Sequence, residues 1–396
     1  MSHPARLHLN KGVRHRILTG HPWVFASEVE KIAGDATDGE TVAIVSPQGE
    51  FLGSAIYNAR SQIVARRYAR EDVALDEALL SARLDQALAY RRELDPQAEA
   101  QRLVWSESDR LPGLIVDHYA DVLVVQTLTL ALSRREKIIA DLLLKKTDCC
   151  VILARNDAPV RQLEGLPLTR EVLHGEYQAP TPVTISGIRY ELDLWSGQKT
   201  GFYLDQVENY GAVASFAPGR RVLDCFTNQG AFALSAMRAG AISCEAIDQS
   251  GEALALAATT AKRAGLEIAW RQGNVFDLLR QYEQSRATFD LIILDPPSFT
   301  KSKGNKDAAL RGYHDLHVRA LRLLAPDGIL ATFSCSHHVT AADWLGLLER
   351  AAGDAHASLR LRRRLGQSGD HPVLVNVPET EYLRGYVVQK VRGGAA

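Results

Sequence analysis

Two short stretches carry side chains able to do covalent and acid–base work. Residues 331–338 read ATFSCSHH, with Cys335 between two serines at the end of an apolar run, and residues 293–299 read ILDPPSF, with Asp295 ahead of two prolines. A thiolate can add to carbon 6 of a pyrimidine, which makes carbon 5 enamine-like and able to take a methyl group from a sulfonium. Pro296 and Pro297 lack N–H groups and keep the chain extended, so the Asp295 carboxylate and the adjacent carbonyls can face a pocket, with Phe299 close behind. His337, His338 and the cation-rich KSKGNK (301–306) are the sequence neighbours able to lower the pKa of a thiol at Cys335. The competing reading of Cys335 is a buried structural cysteine. A metal reading of C-x-H-H falls short of a four-ligand site, and no metal is expected.

A series of polar residues completes the pattern. VLDCFTNQGAF ends an apolar run with Asp224 and turns at Gly230. With one glycine, this loop departs from GxGxxG, which disfavours a pyrophosphate cofactor and suits one without phosphate, such as S-adenosylmethionine. CEAIDQS places Asp248 close to the ~20-residue offset at which an acid meets ribose hydroxyls. RQGNVFD supplies Asn274, able to bond an adenine edge. Each residue alone could be a helix cap; three at the ends of successive runs favour a ligand. A D-P-P turn suits an acceptor that is a planar nitrogenous group. Adenine-N6 enzymes usually carry an aromatic directly after the prolines, where Ser298 stands here.

These residues need a scaffold that brings strand ends together. From RVLDCF onward, β-type runs alternate with helical ones (GAFALSAMRAG, SGEALALAATTAKRAG, AALRGYHDLHVRALRLLA) and finish at GILATFSCS, which predicts a doubly wound parallel sheet. IAWRQGNVF and DLIILDPP read as successive strands. The first ~70 residues are short strands separated by turns, a small β-barrel. A helix spans about Leu75–Leu94, stopped by Asp95-Pro96. Strands and a helix near Ser133 then form a central α+β domain. The expected boundaries are 1–74, 75–182 and 183–396.

The chain of 396 residues is 46% hydrophobic and 23% charged with formal net charge −1, which excludes an unspecific basic nucleic-acid coat. Local basic runs, VARRYAR (64–70), KSKGNK and LRLRRRLG (359–366), are compatible with a confined polyanion track. No apolar run reaches membrane-spanning length and no secretory leader is seen, so a cytoplasmic protein without a membrane partner is expected. Of five cysteines, all but Cys335 read as small buried hydrophobes.

HPWVF (21–25), SESDRLPGLIVDHY (106–119), GQKTGFYLDQ (197–206), VLDCFTNQGAFAL, LDPPSF and TFSCS together resemble the RlmI-type family of 23S ribosomal RNA cytosine-5 methyltransferases over essentially the whole chain. The resemblance implies an N-terminal PUA domain, a central α+β domain and a C-terminal class I S-adenosylmethionine-dependent domain. It implies Cys335 as nucleophile and Asp295 as the acid holding the cytosine edge. Tyr203, Gln206, Asp224, Phe226, Gly230, Asp248, Asn274, Val275 and Asp295 form the implied cofactor site. Lys199, Pro296, Pro297, Phe299, Arg66 and Arg67 are the expected substrate and RNA contacts. Two positions depart from the family: Val207 and Tyr210 stand where arginine is common.

The expected activity is therefore S-adenosylmethionine-dependent formation of 5-methylcytosine in 23S ribosomal RNA through a covalent Cys335–carbon-6 adduct, acting on RNA or a ribosome assembly intermediate. A homodimer is compatible with the sequence. The competing functions are an N-methyltransferase using the D-P-P turn alone, a non-catalytic PUA-type RNA-binding or assembly factor, and a Rossmann oxidoreductase.

Overall fold

The computed structural model describes residues 3–12, 15–197, 199–299, 306–336 and 339–391. The chain divides into two compact units. The first contains 1–183, 192–204 and 369–380, and the second 184–191, 205–368 and 381–396.

In the first unit the N-terminal runs form a six-stranded sheet in the order Trp23–Val24, Ala65–Ala69, Phe51–Tyr57, Thr41–Val45, Ala5–Leu9, Val29–Gly34. A five-stranded sheet follows, ordered Thr169–His174, Val151–Asn156, Val122–Thr127, Leu114–Tyr119, Ala100–Trp105. The helix Glu77–Leu94 starts where the Asp76 side chain accepts a hydrogen bond from the Leu79 amide, 2.9 Å. Its Leu80, Leu84, Ala87 and Leu88 share one apolar cluster with Ile56 and Tyr68 of the first sheet and Val116 and Val125 of the second. Both sheets thus belong to one core. Two returning segments add polar anchors: Asp370 accepts from the Arg91 guanidinium and the Arg102 amide, and Glu379 accepts from Arg16 and His21. Arg102 forms a bidentate pair with the fully buried Asp117, 2.7 Å on each arm.

The second unit is a seven-stranded sheet. Its strands are β1 (Arg221–Cys225), β2 (Ser243–Asp248), β3 (Ala269–Gln272), β4 (Phe289–Leu294), β5 (Leu324–Ser334), β6 (Ser358–Gly366) and β7 (Arg384–Val391), in the order β3-β2-β1-β4-β5-β7-β6. β1 to β5 are parallel; β7 runs antiparallel to both neighbours. The helices are α1 (Val207–Ala214), α2 (Ala231–Arg238), α3 (Gly251–Arg263), α4 (Val275–Ser285), α5 (Lys306–Leu323) and α6 (Ala341–Asp354). Leu223, Ile292, Leu330, Tyr313, Leu316, Trp344 and Leu347 belong to a single buried cluster; a fully buried large apolar side chain of this kind contributes roughly 1.5–3 kcal/mol. His317 of α5 lies inside it, bonded to Thr332 Oγ1 of β5 at 2.7 Å, and burial pushes its pKa down to about 4. It bridges helix and strand as a neutral imidazole.

The structure departs from or adds to sequence expectation in three places. The expected strand–strand passage from IAWRQGNVF to DLIILDPP contains α4, because Val275 and Leu279 set an i, i+4 apolar face behind the capping Asn274. LRLRRRLG is the edge strand β6, largely exposed, where cations discourage pairing with another chain. Cys225 and Cys244 are buried as expected, but Cys149 is half-buried and Cys150 exposed, since both lie in the turn before the strand Val151–Asn156.

Candidate active site

A parallel sheet leaves the carboxyl ends of its strands facing one crevice, and the chemically able residues of the second unit stand there. Asp224 stands one residue before the end of β1, β2 ends on Asp248, and Asp295 follows β4. Between β1 and α2 the backbone turns through left-handed Phe226 (φ 64°), Asn228 (φ 50°) and Gly230 (φ 77°). A β-carbon on Gly230 would meet the Trp270 ring at 2.7 Å, so glycine is required both by conformation and by space. Two non-glycine residues in this region cost energy that the surroundings must offset. Asp248 helps: its carboxylate accepts from the Asn228 and Ser250 amides, both 2.9 Å.

Asp224 is the most unusual group. It is fully buried, and one carboxylate oxygen accepts from Thr227 Oγ1 and from the Ala233 amide at 3.1 Å. The other oxygen has no partner among the described residues. Burial pushes its pKa up to about 7, and the nearby Asp295 and Asp248 charges add to the rise. An unpartnered carboxylate oxygen that feels two further carboxylates is an anionic setting suited to a cation. S-adenosylmethionine carries a sulfonium and an ammonium, so this donor set fits it.

Asp295 is held by a relay. Gln206 Nε2 donates to its Oδ2 at 2.9 Å, Asn209 Nδ2 donates to Gln206 Oε1 at 2.6 Å and also to the Gly366 carbonyl at 2.7 Å. Gln206 and Asn209 are both buried, which fixes the amide of Gln206 toward the acid. Pro296 is buried and Pro297 exposed.

Cys335 directly follows β5 and is half-buried. Leu294 of β4 pairs in register with Thr332 of β5, so Asp295 and Cys335 emerge from adjacent parallel strands on the same edge. Their two loops are joined by hydroxyls. Ser298 Oγ and Ser336 Oγ are 2.8 Å apart, and Ser336 Oγ is 3.0 Å from Tyr313 Oη. Tyr313 accepts from the Phe299 amide at 3.1 Å and donates to the Pro297 carbonyl at 3.3 Å. Its buried ring stacks on Phe299, centroids 4.3 Å apart.

Other expected residues have different surroundings. Asn274 caps α4, its Oδ1 accepting from the Phe276 amide at 2.9 Å, and Val275 is buried behind it. Tyr210 packs edge-on against Phe232, 4.7 Å between centroids, so an apolar ring contact occupies one position where arginine is common. Lys199 and Tyr203 belong to the first unit, where the Lys199 ammonium lies 4.2 Å from the Tyr203 ring centre. Arg66 pairs with Glu107 at 2.8 Å, and Arg67 donates to the carbonyls of Ile17, Leu52 and Gly20. His337, His338 and residues 301–305 lie outside the described residues. Sequence reasoning missed Asn209, Tyr313 and Ser336. For Tyr313 a signal existed, its helical spacing with Leu316 and Ala320 on the buried face of α5.

The strand order, the acid series and the turn at Gly230 define a class I S-adenosylmethionine-dependent methyltransferase. Family profiles agree: an S-adenosylmethionine-dependent methyltransferase profile matches residues 166–381, and a PUA-like domain profile matches residues 7–70. The chain is 38% identical to a Shewanella amazonensis protein named ribosomal RNA large subunit methyltransferase I, covering 97% of this chain and 99% of that one. A Yersinia pseudotuberculosis protein of the same name is 37% identical over 96% of this chain and 98% of its own. The chain belongs to the ribosomal RNA large subunit methyltransferase I family. Among solved structures, a chain described as a SAM-dependent methyltransferase from Streptococcus mutans superposes with TM-score 0.82 at 19% identity, covering 97% of this chain and 99% of its own. A methyltransferase complexed with SAH gives 0.83, with the same identity and coverage. At that identity these two speak for the fold.

Proposed function

We propose that this protein methylates carbon 5 of a cytosine in large-subunit (23S) ribosomal RNA, using Cys335 as a covalent nucleophile. The observation that carries this reading is the emergence of Cys335 and Asp295 from adjacent parallel strands, beside the carboxyl cluster suited to a cationic methyl donor. The relatives' names supply the RNA.

The target base leaves its stack, at a cost of a few kcal/mol. The Cys335 thiolate forms a bond to carbon 6, and the electron pair of the 5,6 double bond becomes available at carbon 5. Asp295, oriented by Gln206 and Asn209, faces the N3/N4 edge, where in its acid form it can donate a proton to N3 and so neutralise the negative charge displaced onto the ring. When bound, the cofactor would supply an electrophilic methyl group on its sulfonium sulfur, the carbon–sulfur bond breaking to leave a neutral thioether as carbon 5 bonds to the methyl carbon. Loss of the carbon-5 proton to a base then re-forms the double bond and expels the Cys335 thiolate. In this scheme Asp224 and Asp248 hold the donor, Pro296, Pro297 and Phe299 shape the acceptor side, and most of the acceleration comes from holding carbon 5 and the methyl group about 3–3.5 Å apart.

The test is bisulfite sequencing of ribosomal RNA from cells lacking the protein, complemented with wild type or with Cys335→Ser. One cytosine should lose protection in the deletion and regain it only with wild type. Restoration by Cys335→Ser would remove the thiol from the mechanism. Absence of any lost site would reject cytosine carbon 5 as the acceptor and favour a ring or exocyclic nitrogen held at the Asp295 turn.

A further inference from the structure

The first unit contains a cavity of about 360 Å³ whose walls include Arg67, Arg70, Arg83 and Arg110. The balance of charge around it is uneven. Arg83 is 5% exposed; its guanidinium donates to the Arg110 carbonyl and lies over the Tyr68 ring at 5.9 Å, with no carboxylate within salt-bridge distance among the described residues. Arg67 is likewise bonded to carbonyls alone, at 3.0–3.4 Å. Burial and the neighbouring Arg70 hold Arg67 down to about 10, and burial and Arg110 do the same to Arg83. Arg70 is exposed and makes no hydrogen bond or ion pair among the described residues, and Arg110, also exposed, meets the neutral amide of Gln86.

Two carboxylates also line the cavity, Glu71 and Glu107. Glu107 is consumed by Arg66, Trp23 Nε1 and Ser106. Glu71 is thus the uncommitted acid facing four guanidinium groups. Burying cations without counter-charge is unfavourable, and an anion entering the cavity would relieve it. Guanidinium forks match the oxygens of a phosphate in bidentate fashion. The volume lies at the lower end of the ~300–1,000 Å³ range of small-ligand sites, more than a bare phosphate needs.

We propose that this cavity receives one nucleotide of the RNA substrate, its phosphodiester held by Arg70 and Arg110 with Arg67 and Arg83 supplying positive charge behind them. The inference rests on the reading that the substrate is RNA. It gives the first unit a defined contact with the polynucleotide, separate from the catalytic groups of the second.

The test uses full-length wild type, Arg70→Gln, Arg110→Gln and the double variant, with Arg350→Gln on exposed α6 as control. Binding of a fluorescein-labelled oligouridylate is measured across a salt series, with uridine monophosphate and inorganic phosphate titrated separately. The double variant should bind the oligonucleotide about tenfold more weakly and lose roughly 0.7 from the salt slope for each arginine removed. S-adenosylmethionine affinity and the control should be unchanged. An unchanged slope in the double variant overturns the proposal. So does weakened binding of the mononucleotide or phosphate with the oligonucleotide slope intact, which would make the cavity a site for a free small anion. Wild-type methyl transfer to ribosomal RNA is assayed in parallel: its failure counts against the enzymatic reading, while the variants' slopes still decide the cavity.

Discussion

Replacing Tyr313 by Phe removes one oxygen and leaves the ring contacts with Phe299 and Trp344 in place. That oxygen joins the loop after β4 to the loop after β5. Ser298, Ser336, Tyr313 and the Pro297 carbonyl can pass hydrogen bonds in one direction, with the Phe299 amide donating to the same tyrosine oxygen. Losing the two neutral bonds to main-chain groups costs about 1 kcal/mol each. A loss of about 2 kcal/mol corresponds to roughly 4–8 °C in the melting midpoint of a unit of this size. The kinetic effect should be separate. Asp295 and Cys335 would no longer be held to a common spacing, and misplacement by about 1 Å can cost up to ~100-fold in rate. Tyr313→Phe should therefore lower kcat for methyl transfer about tenfold, with S-adenosylmethionine affinity and the KM for RNA within about twofold, read from single-turnover kinetics beside thermal melts. If the midpoint falls as expected while kcat stays at the wild-type value, the hydroxyl bridge stabilises the fold and does not position the reacting groups.

Asp224 should make cofactor binding depend on pH. Its pKa is raised to about 7, so the folded protein holds a proton that the unfolded chain would release above about 4. Stability without ligand should fall as pH rises through that window and level off above 7, with the slope removed by Asp224→Asn. A cationic ligand favours the carboxylate, so calorimetry below pH 7 should show proton release on binding S-adenosylmethionine, absent in the same variant. Gly230→Ala should lower stability by about 2 kcal/mol or more, because a β-carbon there is left-handed and meets the Trp270 ring. Thermal melts with and without S-adenosylhomocysteine would also show a smaller ligand-induced shift.

The strand ends were legible because a buried parallel strand is a continuous apolar run, and the residue that interrupts it is visible: Asp224, Asp248 and Asp295 all stand at such interruptions. Gly230 was legible for a similar reason, as the lone glycine between an apolar strand and an apolar helix. What could not be read was a contact between residues distant in sequence. Nothing in NYGAVA says that Asn209 reaches both Gln206 and Gly366, since the second partner lies on another strand. Helix α4 escaped because its apolar face, Val275 and Leu279, is only one turn long in the pattern and follows a strand directly. The arginines of VARRYAR were visible as charge, but their bonding was not. Arg66 meets an acid 41 positions away, Arg67 meets main-chain carbonyls, and Arg70 meets neither.

The division of the chain into interleaved segments has a consequence for how the protein is made. The first unit needs Asp370, which receives the buried Arg91 guanidinium, and Glu379, which receives Arg16 and His21. During synthesis its N-terminal sheets leave the ribosome long before either acid does. At roughly 5–20 residues per second, the intervening stretch takes on the order of 10–40 s to emerge. Through that interval Arg91 lacks a carbonyl it uses in the finished protein. The nascent first unit must wait in an incomplete form, and completion of its packing reports that nearly the whole of the catalytic unit has already been translated.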